Sequence, residues 1–173
     1  MLKETVPQLR SVVILWSPNN QAARPQVEAT EAAARSLRIK TYAIEVGSLN
    51  DLKPALKKIA GRHADGLIII QDSITLSLSQ ELAQFSVRNR IPASHAYRPF
   101  VDAGGLMSYG FSLSGLWEAV AGYADKILKG ARPENLPMEQ PTHVELVINL
   151  STAKALDLKI PESVLLRADE LVR

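Results

Sequence analysis

Short apolar, β-branched runs that alternate with helix-like segments constrain this chain more than any other feature of its sequence. The run at 12–16 predicts a fully buried strand, and further strands are predicted at 39–46, 67–70 and 91–96. Between them, apolar residues spaced three and four apart predict helices at 21–37, 52–62 and 77–89. Strands and helices that alternate over short loops form a mainly parallel sheet with helices on both faces. The pattern therefore predicts a three-layer α/β sandwich.

The second half of the chain predicts five further elements. They are a strand at 106–110, an amphipathic helix at 113–129, a proline-rich extended connector at 131–141, a strand at 144–150 and a short helix at 152–157. Gly130 suits the end of the long helix and Ser151 the start of the short one. We divide the chain into an α/β core over 1–110, a helix and crossover over 111–141, and a return strand with its tail over 142–173.

Composition excludes several classes of function. The 173 residues suit one domain, and 20 Lys and Arg against 18 Asp and Glu leave a net charge of +2. No run concentrates the basic residues, so we expect no nucleic-acid partner. The absence of Cys excludes disulfides and thiolate catalysis. The longest wholly apolar run is Val12–Trp16, far short of the roughly 20 residues of a membrane span. Residues 1–10 lack the apolar core of an export signal, so we expect none in this chain.

Polar residues follow each of the predicted parallel strands, at the edge where ligands bind to open α/β sheets. They are Ser17, Asn19, Asn20, Gly47, Ser48, Asp72, Ser73, Tyr97 and Arg98. Together they suit a zwitterion or another polar solute, although the same residue types are common in turns and caps. Trp16 and Trp117 lie on predicted apolar faces, so we expect them in the core.

The sequence contains none of the common catalytic motifs. There is no glycine-rich dinucleotide or phosphate loop and no G-x-S-x-G elbow. The three histidines lie in separate elements without metal-ligand spacing: His63, His95 and His143. We predict no metal and no cofactor. A small enzyme would have to work through Asp72 and His95, and the sequence supports that hypothesis least.

The segment Ala103–Gly110, AGGLMSYG, closely resembles a motif of the substrate-binding proteins of ABC importers, in the group that includes tryptophan-type binding proteins. Other collinear segments resemble the same family. They are 2–7, 16–19, 125–131, 136–142, 145–150, 152–156, 160–161 and 165–170. The resemblance covers nearly the whole chain.

This resemblance implies an arrangement of two α/β lobes, of the periplasmic-binding-protein-like type I, with the ligand in the cleft between them. The chain corresponds to the C-terminal lobe portion of a protein roughly twice as long. The resemblance implies a solute-binding component of an ABC importer, no enzymatic activity, and a periplasmic or extracytoplasmic location in the full-length protein. The expected partners are a small-molecule solute, in particular an amino acid, and the importer permease.

Six residues are the predicted ligand-binding groups: Asn19, Asp72, Ser73, Tyr97, Ser108 and Tyr109. The polar members would hydrogen-bond an amino acid, and Tyr97 or Tyr109 would cover an apolar side chain. Family members often have Pro-Asp-Pro after the third strand, where this chain has Gln71-Asp72-Ser73. The aspartate is kept, but its rigid flanking residues are not.

The helix at 113–129 would pack on the other lobe in a full-length family member. Without that lobe, we expect its apolar face either to fold back or to pair with a second copy, giving a homodimer through residues 113–129. A different interpretation is a stand-alone cytoplasmic regulatory or ligand-sensing domain. That interpretation predicts that the strand at 144–150 completes the same sheet.

Overall fold

The computed structural model describes residues 1–137 and 144–173. Seven strands are present in these residues: β1 Ser11–Trp16, β2 Lys40–Glu45, β3 Gly66–Ile69, β4 Ala93–His95, β5 Met107–Phe111, β6 Val144–Asn149 and β7 Glu170–Val172. The helices are α1 Leu2–Thr5, α2 Ala23–Ser36, α3 Leu52–Arg62, α4 Ser73–Ser77, α5 Ser79–Arg88, α6 Pro99–Asp102, α7 Leu113–Leu128, α8 Leu150–Ala155 and α9 Glu162–Leu165. His143, Pro141 and most of segment 136–142 lie outside the described residues.

The strands form one sheet in the order β2-β1-β3-β4-β5-β6-β7. Strands β1 to β5 run parallel, β6 is antiparallel to β5, and β7 is parallel to β6. Helices cover both faces, so the predicted mainly parallel α/β sandwich is confirmed. Strand β6 does complete the same sheet, as the regulatory-domain interpretation expects. A single sheet of this kind is equally compatible with one lobe of a binding protein.

The central strands are buried on both faces, which explains why they are continuously apolar in sequence. Val13 and Leu15 pack on one face with Ile59 of α3 and Leu82 of α5. On the opposite face, the side chain of Ile14 packs with α2. Because residues 12–16 of β1 are buried on both faces, this run of β-branched residues packs against both helical layers.

Two helix boundaries differ from the predictions. The helix predicted at 77–89 is α5, which begins at Ser79, two residues later than predicted, and the short helix α4 that precedes it was not predicted. Ser151 does not cap the helix predicted at 152–157. Instead, the Asn149 side chain accepts a hydrogen bond from the Thr152 amide at 2.9 Å, and α8 begins at Leu150. An asparagine that ends a strand is thus also the cap of the next helix.

Helix α7 contributes no residue to the core. Its first turn is capped by Ser112, but none of its residues is buried. Trp117 is 69% exposed, so the prediction that it lies in the core was wrong, whereas Trp16 is 5% exposed and its core position is confirmed. The apolar face of α7 has not folded back onto the sheet, and its pairing with a second copy stays a prediction. Among the described residues, no helix is both long and apolar enough to cross a membrane.

Candidate ligand-binding site

A cavity of about 370 Å³ lies at the carboxyl edge of the parallel strands. Residues after three of the strands line it, together with the starts of helices α2, α4 and α7. The lining comprises Asn20, Ala22, Gln26, Gln71, Asp72, Ser73, Leu76, Tyr97 and Leu113. Three of the predicted ligand-binding residues therefore meet in one place, because parallel strands deliver their carboxyl ends to the same edge.

Asp72 is held in place by the helix that it starts. Its Oδ1 atom accepts a hydrogen bond from the Ile74 amide at 2.7 Å and so caps α4. Thr75 strengthens the same turn by donating to the Ile70 and Asp72 carbonyls at 3.0 and 3.1 Å. The other carboxylate oxygen of Asp72 accepts no hydrogen bond from the described residues. The loop has lost the flanking prolines of the family pattern, but these contacts fix the half-buried carboxylate at the cavity wall.

Asn20 lines the cavity, whereas the predicted ligand-binding residue Asn19 does not. The Asn19 side-chain amide donates to the Gly47 carbonyl at 2.7 Å, which joins the loops after β1 and β2 and leaves Asn19 outside the cavity lining. Asn20 lines the cavity instead, and its amide donates to the Gln71 carbonyl at 3.3 Å. Both asparagines suit a turn equally well, so sequence alone did not decide which one faces the cavity.

Ser108 and Tyr109 lie on β5, away from this cavity. Ser108 is buried in the middle of the sheet, where it stands opposite His95 of β4 and Val147 of β6. Tyr109 is 47% exposed and lines a separate groove of about 510 Å³ on the sheet face beside α2. The six predicted residues thus fall in different places, and the ligand role of each stays a prediction.

His95 is buried and contacts the loop that carries Tyr97. Its Nδ1 atom accepts a hydrogen bond from the Tyr97 amide at 2.8 Å, and its ring stacks on Phe100 at a centroid distance of 5.8 Å. Burial lowers the pKa of His95 to about 4, so the ring is neutral at physiological pH. It therefore orders the loop that carries Tyr97. Within residues 1–137 and 144–173, no cluster of three His, Cys, Asp or Glu side chains could hold a metal ion.

A model of the ABC transporter substrate-binding protein family matches residues 1–172. The chain belongs to this family, as its sequence motifs predict. A tyrosine-binding protein of Clostridioides difficile strain R20291 is 20% identical over 159 residues, which are 92% of this chain and 46% of that protein. The chain thus spans about half the length of its curated relative.

Solved structures show the same fold. A conserved domain protein from Vibrio cholerae O1 biovar El Tor is 26% identical with a TM-score of 0.87, over 98% of this chain and 57% of that one. An ABC domain from Streptococcus pneumoniae in complex with L-Trp is 24% identical with a TM-score of 0.89, over 99% and 58%. A ligand-free, open substrate-binding protein with adhesive properties from Clostridium difficile is 20% identical with a TM-score of 0.71, over 99% and 57%. The architecture is therefore that of a periplasmic-binding-protein-like lobe.

Proposed function

We propose that this chain is the ligand-contacting lobe of a solute-binding component of an ABC importer, and that its solute is an aromatic amino acid. One observation carries the proposal: the half-buried Asp72 carboxylate and the Tyr97 ring line the same cavity at the carboxyl edge. The free carboxylate oxygen can accept hydrogen bonds from the ammonium group of an amino acid. The Tyr97 ring can pack against its side chain. The names of two relatives, which record tyrosine and L-Trp, support this class of ligand.

The remaining contacts would come from a second lobe of the full-length protein. In this proposal, residues 1–110 and 142–173 form one wall of an interlobe cleft. Helix α7, within the crossover 111–141, packs its exposed apolar face on the second lobe. A solute that touches both walls stabilises the closed arrangement over the open one, so closure follows from the difference in affinity between the two states. No bond is made or broken.

The same proposal sets the location and partner of the full-length protein. In this proposal the full-length protein works outside the cytoplasm, and its partners are the solute and the importer permease. This chain spans 46% of the length of the tyrosine-binding protein, and the proposal assigns the second lobe to the rest of a full-length protein. We therefore expect this chain alone to bind its solute weakly, since half of the contacts are absent.

Isothermal titration calorimetry with L-Tyr and L-Trp tests the proposal. We expect weak but measurable binding, and we expect Asp72→Asn to abolish it, because the substitution removes the charge and retains an oxygen that can cap α4. The matched ligand control is 3-(4-hydroxyphenyl)propionate, which lacks the ammonium group and should bind the natural chain and Asp72→Asn equally poorly.

Asn19→Ala provides the protein control, because Asn19 lies outside the cavity lining. It should leave the affinity for L-Tyr unchanged. Sub-micromolar binding by this chain alone would refute the half-site hypothesis. Unchanged affinity in Asp72→Asn would show that the amino acid is recognised elsewhere.

A further inference from the structure

The amino-terminal edge of the sheet, opposite the cavity, gathers positive charge from distant parts of the sequence. Four segments, 8–11, 33–40, 60–66 and 86–93, contain the starts of strands β1 to β4 and the ends of helices α2, α3 and α5. They carry seven basic residues: Arg10, Arg35, Arg38, Lys40, Arg62, Arg88 and Arg90. The single acidic residue in these segments is Asp65. A net charge of +2 for the whole chain therefore conceals a strongly cationic edge.

Strand register brings the four segments together. Ser11 stands beside Lys40 on β2, and Val12 stands beside Gly66 on β3. The Lys40 amide donates to the Arg10 carbonyl at 2.8 Å. Neighbouring strands are about 4.8 Å apart, so the starts of four strands span roughly 15 Å. The helices that precede β2, β3 and β4 all end at this edge, which places their terminal arginines beside the strand starts.

These cations are accessible, and the seven of them are opposed in the four segments only by the charge of Asp65, which lies near Arg10. All seven side chains belong to exposed residues, and none forms an ion pair with a described carboxylate. The Asp65 carboxylate is hydrogen-bonded by backbone amides. Its Oδ2 atom accepts hydrogen bonds from the Arg10 and Ser11 amides at 2.9 and 2.8 Å. The field of this edge therefore faces the solvent.

Two of the arginines occupy backbone positions that favour glycine. Arg38 and Arg90 follow the ends of α2 and α5 with φ of 56° and 54°, and His63 follows α3 with φ of 49°. Glycine is the usual residue at such left-handed helix ends, because a side chain adds strain there. The helix dipole accounts for arginines inside the last turn. Arg38 and Arg90 lie beyond the last turn of their helices, so the dipole does not account for them. Each places a charge where glycine would be less strained.

We propose that this cationic edge, defined by the seven basic residues above, binds the anionic phospholipid headgroups of a bilayer. Each Lys or Arg near an anionic membrane surface strengthens binding severalfold. The four segments contain no Phe, Tyr or Trp, and the neighbouring Tyr42 is half-buried with Lys40 and Arg62 over its ring, so no free aromatic face is offered to bases. None of the seven basic residues lines either cavity, so a bilayer fits this edge better than a nucleic acid. Contact through this edge leaves the carboxyl edge of the sheet open to solute. The inference extends beyond the proposed transport role and does not depend on the identity of the solute.

Sedimentation of the 173-residue chain with lipid vesicles tests this inference. Vesicles of phosphatidylcholine with phosphatidylglycerol should retain the chain at low salt and release it at high salt, and pure phosphatidylcholine vesicles should not retain it. The double variant Arg38→Gly, Arg90→Gly should lower partitioning about tenfold or more. Because glycine relieves the backbone at both positions, the thermal midpoint of this variant should be unchanged or higher.

The matched control removes the same charge from another part of the surface. Lys53→Gln with Lys57→Gln on α3, both at exposed positions outside the four segments, has the same net charge as the edge variant and should partition like the natural chain. Equal losses in both double variants would overturn the inference, since they would reflect net charge alone. Failure to bind anionic vesicles, or binding to a short DNA duplex without binding to vesicles, would also overturn it.

Discussion

The Arg98 guanidinium makes a two-pronged ion pair with the Glu170 carboxylate, with Nη2 2.8 Å from Oε1 and Nη1 bonded to the other oxygen. Arg98 lies in the loop after β4, directly after Tyr97 of the candidate cavity, and Glu170 begins β7. The hydrogen bond from Arg98 lowers the pKa of Glu170 below its ordinary value. The pair therefore links the cavity loop to the last strand of the sheet.

We expect this ion pair to make a small, pH-dependent contribution to the stability of the folded chain. Arg98 also pairs with Asp102 at 3.3 Å, so Arg98→Gln removes both ion pairs. Arg98→Gln and Glu170→Gln should each lower the thermal midpoint by about 1–2 °C, and the double variant should lose no more than Arg98→Gln alone. Because the folded pKa of Glu170 is depressed, the contribution is full above the ordinary carboxyl pKa and is lost as the pH falls below it. Differential scanning fluorimetry of the four proteins measures the coupling.

A second ion pair provides the control. Arg132 and Glu134 are 3.4 Å apart with side chains that are 78% and 70% exposed. Arg132→Gln should leave the midpoint unchanged, since such exposed pairs contribute little. Fully additive losses for Arg98→Gln and Glu170→Gln would contradict the pairing.

Gly110 should tolerate no side chain, for a reason that the structure supplies. A Cβ atom at this position would lie 2.3 Å from the Ala96 carbonyl oxygen, which is backbone and cannot turn away. We expect Gly110→Ala to lower the free energy of unfolding by about 2–4 kcal/mol, as overpacking against a fixed neighbour does. Urea denaturation measures this change. The final glycine of AGGLMSYG thus has a steric explanation.

Gly122 offers a matched substitution within α7. Nothing lies within 4 Å of a Cβ atom there, so Gly122→Ala should leave the core untouched and favour the helix by up to about 1 kcal/mol. A loss in Gly110→Ala no larger than the effect at Gly122 would show that β4 and β5 do not approach as closely as described.

Local pattern predicted the sheet because each buried strand had to be apolar on both faces, as in Val12–Trp16. The sequence pattern did not predict the placement of side chains whose positions depend on contacts between distant segments. The side chains of Asn19 and Asn20 differ only in which loop they bond to, Gly47 or Gln71. Trp117 looks like a core residue because its helix is amphipathic, but an apolar face does not specify its partner. The cationic edge was invisible to a search for basic runs, because the topology assembles it from four segments that lie far apart in the sequence.

His95 should make the chain sensitive to mild acid. Its unperturbed pKa is 6.5, and burial lowers the pKa in the folded chain to about 4. The unfolded chain therefore binds more protons between these values, so stability is complete above the unperturbed pKa and falls as the pH drops towards the folded one. The full loss is about 3 kcal/mol. The upper part of this pH range lies above the range in which carboxylates titrate, so a change in stability there reports on the histidine alone.

The variant His95→Asn keeps an oxygen that can accept from the Tyr97 amide and does not titrate. Its free energy of unfolding, measured in urea from about pH 7 to about pH 5, should be nearly flat, whereas the natural chain loses stability over this range. His63→Gln, at an exposed position, should retain the slope of the natural chain. A slope that survives in His95→Asn would assign the acid sensitivity to another group.

Helix α7 should drive association of this chain when no second lobe covers it. Its exposed apolar residues include Trp117, Val120 and Ile127. These residues are spaced three and seven apart, so they lie on one face of the helix. We expect light scattering to show a concentration-dependent homodimer through residues 113–129, and Trp117→Glu to shift the chain to monomer. Gly122→Glu adds the same charge on the opposite side of the helix and should leave the dimer intact. A strictly monomeric natural chain would contradict the prediction, and equal dissociation in both variants would place the interface on another surface.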